Sequence, residues 1–200
     1  MRTRLTESLA ESVYIEYEAS KPEFLVYLMG PYKSYPPYDQ PTPEGYETAT
    51  RRMTLDETKR KLDAGRIDLD ADEALALLVS LRQDLRRETG VNAFLATDPG
   101  IPTSEMDAAT QSIEYTKAAT ATIFLAPAMG DNLGVGIETG SVCEHLGERP
   151  LLEDVLFLGE RGIESAMIDA VGDRWHVTVD EFRDYDDCYR TIRAHLRAVA

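Results

Sequence analysis

Val91-Asn92-Ala93-Phe94-Leu95-Ala96-Thr97 is an apolar run of strand length that opens directly after Gly90 and closes on the turn residues Asp98-Pro99-Gly100. A helical pattern starts at about Ser104, with Asp107 three residues on as the acid of a capping box, and leads to a second such run at residues 120–126. The same alternation extends in both directions. Upstream, Phe24-Leu25-Val26-Tyr27-Leu28-Met29 reads as the first strand, ended by Gly30-Pro31, and a helix runs from residue 74 to about 88, capped by Asp70 or Asp72 and stopped by Gly90. Downstream come a helix at 134–146, a strand at 155–158, a short helix at 163–170, a strand at 175–179 and a closing helix at 181–199. Strands alternating with helices imply right-handed crossovers and a parallel sheet covered on both faces. The expected fold is therefore α/β, doubly wound, with five parallel strands in the flavodoxin-like order 2-1-3-4-5. Ligands of such folds bind beyond the carboxyl ends of the strands, where the winding reverses between strands one and three.

The 200 residues suit a single α/β domain over 1–200. Residues 1–21 form an N-terminal helical extension, with a helix expected over 5–19 that Pro22 closes. Residues 34–70 form a Pro/Tyr-rich and charged segment: Tyr32 to Pro43 holds four prolines and three tyrosines, which suits an ordered loop, and 54–65 reads as a short charged helix. Apolar residues make up 43%, no apolar run reaches the roughly 18 residues of a membrane span, and the first residues lack the pattern of a secretory signal. A soluble cytoplasmic protein with no membrane partner is expected. With 36 acidic against 21 basic residues and a formal charge of −15, the surface repels a phosphate backbone, so nucleic acid is not an expected partner. Arginine exceeds lysine widely, a composition similar to that of halophilic, and specifically haloarchaeal, proteins. Cys143 and Cys188 are too few for a disulfide framework, and His145, His176 and His195 have no zinc-like spacing, so no metal is expected.

The reversal point singles out the loops after strands one and three. The second, 130–140, delivers Gly134 and Gly136 into a helix start, whose free N–H groups and dipole favour a phosphate or carboxylate. Its glycines read G-x-G-x-x-x-G after the third strand, whereas the dinucleotide fingerprint is G-x-G-x-x-G after the first, so no nicotinamide or flavin cofactor is expected. Glu138 falls in the first turn of that helix, where an acid either complements the dipole or, beside two glycines, faces a substrate. Glu114, on the preceding helix, supplies a second carboxylate, and two carboxylates in one cleft permit nucleophile and general-acid roles on a glycosidic bond. Tyr27 either donates a hydrogen bond to them or belongs to the core.

The runs Asn132-Leu133-Gly134-Val135-Gly136-Ile137-Glu138-Thr139-Gly140 and Tyr27-Leu28-Met29-Gly30-Pro31-Tyr32-Lys33 resemble the nucleoside 2-deoxyribosyltransferase superfamily, most closely its 2′-deoxynucleoside 5′-phosphate N-hydrolase branch. Glu164-Ser165-Ala166-Met167-Ile168, followed by Gly172-Asp173-Arg174, resembles that branch's segment bringing a serine to the substrate phosphate across a dimer interface. The resemblance implies a homodimer acting on a nucleoside or nucleotide without a cofactor. It makes Glu138 the nucleophile on the anomeric carbon of the deoxyribose, Tyr27 its orienting partner and Glu114 the acid assisting departure of the base. It puts Gly30, Lys33, Asn132, Gly134, Gly136 and Ser165 on the sugar and 5′-phosphate. Here Glu114 stands for an aspartate, Asn132 for a serine and Lys33 for an arginine, and Thr139-Gly140-Ser141 replaces an apolar continuation.

Three functional classes follow: an N-glycosidase or deoxyribosyltransferase, a non-catalytic nucleotide-sensing domain using the same crevice, and an interaction scaffold whose Tyr/Pro segment docks a partner.

Overall fold

Strand β1 (Lys21–Met29), β2 (Val91–Phe94), β3 (Ala121–Ala126), β4 (Val155–Glu160) and β5 (Thr178–Phe182) form one sheet in the computed structural model of the chain, which describes residues 1–31, 60–61, 69, 71–127, 143–145, 154–162, 172–175 and 177–200. Their order is β2-β1-β3-β4-β5, and every neighbouring pair is parallel. The α/β fold with order 2-1-3-4-5 read from the sequence is the observed one.

Alternation along the strands divides the core into two layers, because successive side chains point to opposite faces. Val26 and Leu28 of β1, Ile123 and Leu125 of β3, and Leu156 and Leu158 of β4 pack on one face, under α2 (Ala71–Asp84) and α4 (Tyr185–Ala198). Leu25, Tyr27 and Met29, Phe124 and Ala126, and Val155 and Phe157 pack on the other, under α1 (Arg2–Ala10) and α3 (Ala108–Ala118). With both faces covered, β3 and β4 are buried throughout and β1 from Leu25 to Met29, which is why these stretches read as apolar runs. No helix among the described residues is long and apolar enough to cross a membrane.

Several boundaries depart from the sequence expectation. The N-terminal helix ends at Ala10, and β1 already begins at Lys21, so Pro22 sits at the start of a strand rather than closing a helix. Between them, residues 11–20 are tied to the helix before β2: Arg82 donates to the Tyr14 carbonyl, Arg86 to the Tyr17 carbonyl, and Ser20 lies against Gly90. All of β2 is buried although it is an edge strand. Helix α2 starts at Ala71, with Asp72 inside it and Asp70 outside the described residues. It widens into a π turn over Leu85–Thr89 and stops at Gly90, whose φ of 75° and close approach to Ser20 both require glycine.

Helix α3 begins four residues later than expected, because Asp107 is the N-cap itself and accepts from the Thr110 N–H at 3.0 Å. The fifth strand lies at 178–182, not 175–179: Trp175 belongs to a helical turn, and the strand is an exposed edge whose Thr178, Asp180 and Glu181 face water. The closing helix starts at Tyr185, after the N-cap Asp184. The helices expected over 54–65, 134–146 and 163–170 fall largely outside the described residues, which show helical geometry at 60–61 and 143–145.

Candidate functional site

Adjacent strands β1 and β3 mark the reversal of winding, since the chain passes to β2 on one side and to β4 on the other. Met29 of β1 pairs with Phe124, so β3 runs two residues further, to Ala126. Both strand ends are enclosed: Met29, Gly30 and Pro31 are buried, as are Ala126 and Pro127. A Cβ at Gly30 would lie 2.7 Å from Cδ1 of the buried Leu78 on α2, so a side chain there would force Leu78 to shift.

Tyr27 lies two residues before the end of β1 and has no exposed surface. Its ring stacks on Phe94 at 5.0 Å and meets Tyr115 edge-on at 5.6 Å, while Phe94 and Tyr115 meet at 6.0 Å. This three-ring cluster joins β1, β2 and α3 directly beneath the crevice, and each pair has a favoured aromatic geometry. Burial pushes the Tyr115 hydroxyl well above the usual phenol range. Cys143 packs in the same core layer as Tyr27, and burial raises its thiol to about 11, so it is a neutral core group at neutral pH.

Glu114 follows a different course. It is half-buried on α3, one residue before Tyr115, and its carboxylate lies 3.0 Å from Lys117 one turn further on. Among the residues singled out from the sequence, Tyr27 and Gly30 share the end of one strand and Glu114 pairs with Lys117 on the neighbouring helix. Glu138, Lys33, Asn132, Gly134, Gly136 and Ser165 lie outside the described residues.

Three buried carboxylates near the carboxyl side of the sheet were not anticipated: Glu73 in the first turn of α2, Asp98 just after β2 and Glu160 at the end of β4. Glu73 pairs with Lys61. Asp98, in what reads locally as a surface turn, accepts from the buried Arg82 guanidinium and from the Leu95 N–H at 2.7 Å. Arg86, one turn on, donates to the Asn92 side chain and to the carbonyls of Ala93 and Tyr17, and burial lowers its guanidinium to about 10. The available signal was the 82, 86 spacing, which sets two arginines on one face of the helix just after its apolar run 74–79. Among the described residues no cluster of His, Cys, Asp and Glu is arranged to hold a metal.

A family model described as a domain of unknown function, DUF7509, matches residues 2–200. The chain belongs to the DUF7509 family. No curated protein and no solved structure matches it. The DUF7509 match spans every strand of the five-stranded sheet.

Proposed function

We propose that the crevice beyond β1 and β3 binds a 2′-deoxynucleoside or its 5′-monophosphate and cleaves the N-glycosidic bond, with Glu138 as nucleophile. The observation that carries the reading is the sheet order. A parallel 2-1-3-4-5 sheet has its binding crevice at the ends of β1 and β3, and the two sequence runs that resemble deoxyribosyltransferases leave those two strands. Glu138 attacks the anomeric carbon as the C–N bond breaks, and the departing base takes a proton from an acid such as Glu114. Water then hydrolyses the glycosyl ester, returning the carboxylate, or a second base displaces it. Gly30, Lys33, Asn132, Gly134 and Gly136 hold the sugar and phosphate, with Ser165 contributed across the interface of a cytoplasmic homodimer.

A second reading, a nucleotide-sensing domain without catalysis, is favoured by one observation: the Glu114 carboxylate is engaged by Lys117. Incubation with a panel of deoxynucleosides and their monophosphates, with chromatography for free base, separates the two. Base release supports the enzyme. A thermal shift with a nucleotide and no release supports the sensor.

A further inference from the structure

At the opposite, amino edge of the sheet, two adjoining cavities of about 430 and 280 Å³ share Lys21, Phe24 and Ala200 and form one groove open to solvent. The first reaches Arg2 and Thr120, and the second reaches Val91, Arg193, Leu196 and Arg197. An irregularity in the ladder shapes it. The register of β1 against β2 shifts between Lys21 and Leu25, and the carbonyls released there are taken by side chains: Asn92 donates to Pro22 and Arg2 to Glu23. Phe24 is thereby half-exposed and lines both cavities.

Four cations, Arg2, Lys21, Arg193 and Arg197, line the groove beside the two acids Glu23 and Glu88. Several exposed cations elsewhere sit on carboxylates, as Arg4 does on Glu105 and Arg183 on Asp187. Among the described residues Lys21, Arg193 and Arg197 have no carboxylate within ion-pair distance, in a sequence where acids outnumber bases by 36 to 21. Arg193 and Arg197 are four residues apart on one face of α4, roughly 6 Å along its axis. The Arg193 guanidinium rests over the Tyr189 ring at 5.5 Å. Glu88, the acid in this part of the groove, is already held by Arg87 at 3.0 Å and by the Tyr189 hydroxyl at 2.9 Å.

We propose that this groove docks an acidic peptide segment of a partner protein, with carboxylates on Lys21, Arg193 and Arg197 and an apolar side chain over Phe24, Val91 and Leu196. The joined, open shape suits an extended segment better than an enclosed small anion, and Lys21 and Arg197, with Arg193 shared with Glu88, supply the charge complementarity. The site is independent of the reading of the carboxyl edge.

The test uses the full chain and a fluorescein-labelled ten-residue peptide of alternating glutamate and leucine, with a lysine–leucine peptide as control, read by anisotropy. Saturable binding of the glutamate peptide alone is expected, weakening with added salt and falling by about tenfold or more in Lys21→Glu/Arg197→Glu, whose substituted side chains are exposed and leave the fold intact by circular dichroism. Absence of saturable binding, equal binding by the double variant, or complete displacement by an equimolar amount of inorganic phosphate overturns the proposal. The last outcome identifies a small-anion site instead.

Discussion

Arg82 and Asp98 carry opposite charges in a place where neither has water to fall back on, since both are almost fully buried. Removing one partner of such a pair leaves an uncompensated charge and typically costs about 3 to 5 kcal/mol. Asp98→Ala is therefore expected to lower the urea midpoint strongly, whereas Lys117→Ala, which breaks a half-exposed pair, is expected to cost about 0 to 1 kcal/mol. Denaturant unfolding of the two variants checks the contrast. Tyr27 tests ring against hydroxyl: Tyr27→Ala empties the three-ring cluster and is expected to cost about 3 to 5 kcal/mol, as large-to-small aromatic substitutions do. Tyr27→Phe keeps both ring contacts and is expected to cost less stability than Tyr27→Ala while slowing base release, if the hydroxyl orients the nucleophile. At this scale the sequence was informative about Gly30, which ends a strand visibly, and misleading about Asp98. The triplet Asp98-Pro99-Gly100 carries a turn signature, and nothing local announces that its aspartate receives an arginine from sixteen residues away.

Helix α4 shows why some elements were legible. Tyr185, Cys188, Ile192 and Leu196 recur at helical spacing and form its buried face, acids fill its first turn, and His195 and Arg197 its last. Its boundary is set by Asp184, which accepts from the Asp187 N–H at 2.7 Å, and Asp184→Ala is expected to cost about 1 kcal/mol, measurable as a lowered melting temperature. Asp187 itself is hydrogen-bonded by Arg183, which holds its carboxyl below the usual range. A depressed carboxyl stabilises the native state above its unfolded pKa of about 3.9, and that contribution is lost as pH falls through the folded value. The N-terminal stretch shows the opposite case. Residues 11–20 were expected to be largely helical but form an irregular segment tied down by Arg82 and Arg86, contacts sixty-eight and sixty-nine residues distant in the chain. Local pattern carries no trace of them. Strand β5 was displaced for a related reason: as an open edge it needs one apolar end, Phe182, and otherwise presents polar side chains, so the reading followed Trp175, Val177 and Val179 instead.

Across the whole molecule, the buried phenols and thiols govern the alkaline limit. Burial and donation to Asp84 raise Tyr185, burial and donation to Glu88 push Tyr189 up to about 12, and burial raises Cys188. Each group stabilises the native state fully below its unfolded pKa, about 8.5 for cysteine and 10 for tyrosine, and that contribution fades as pH rises towards the folded values. Urea midpoints are expected to fall steadily above about pH 9, and Tyr189→Phe to flatten the decline near pH 10 to 11. The sheet order, as expected from the sequence, puts the reversal of winding at the ends of β1 and β3, where folds of this order bind their ligands. The chemistry proposed there rests on Glu138. Glu138→Gln preserves size and hydrogen bonding but removes the charge that captures the sugar. The most direct test is therefore chromatographic measurement of base release from deoxynucleosides and their 5′-monophosphates by wild type and by Glu138→Gln, alongside nucleotide binding. The account predicts release by wild type, none by the variant, and binding by the variant within about tenfold of wild type, about 1.4 kcal/mol. A wild type that binds a deoxynucleotide yet releases no base, or a variant that releases base at the wild-type rate, contradicts it.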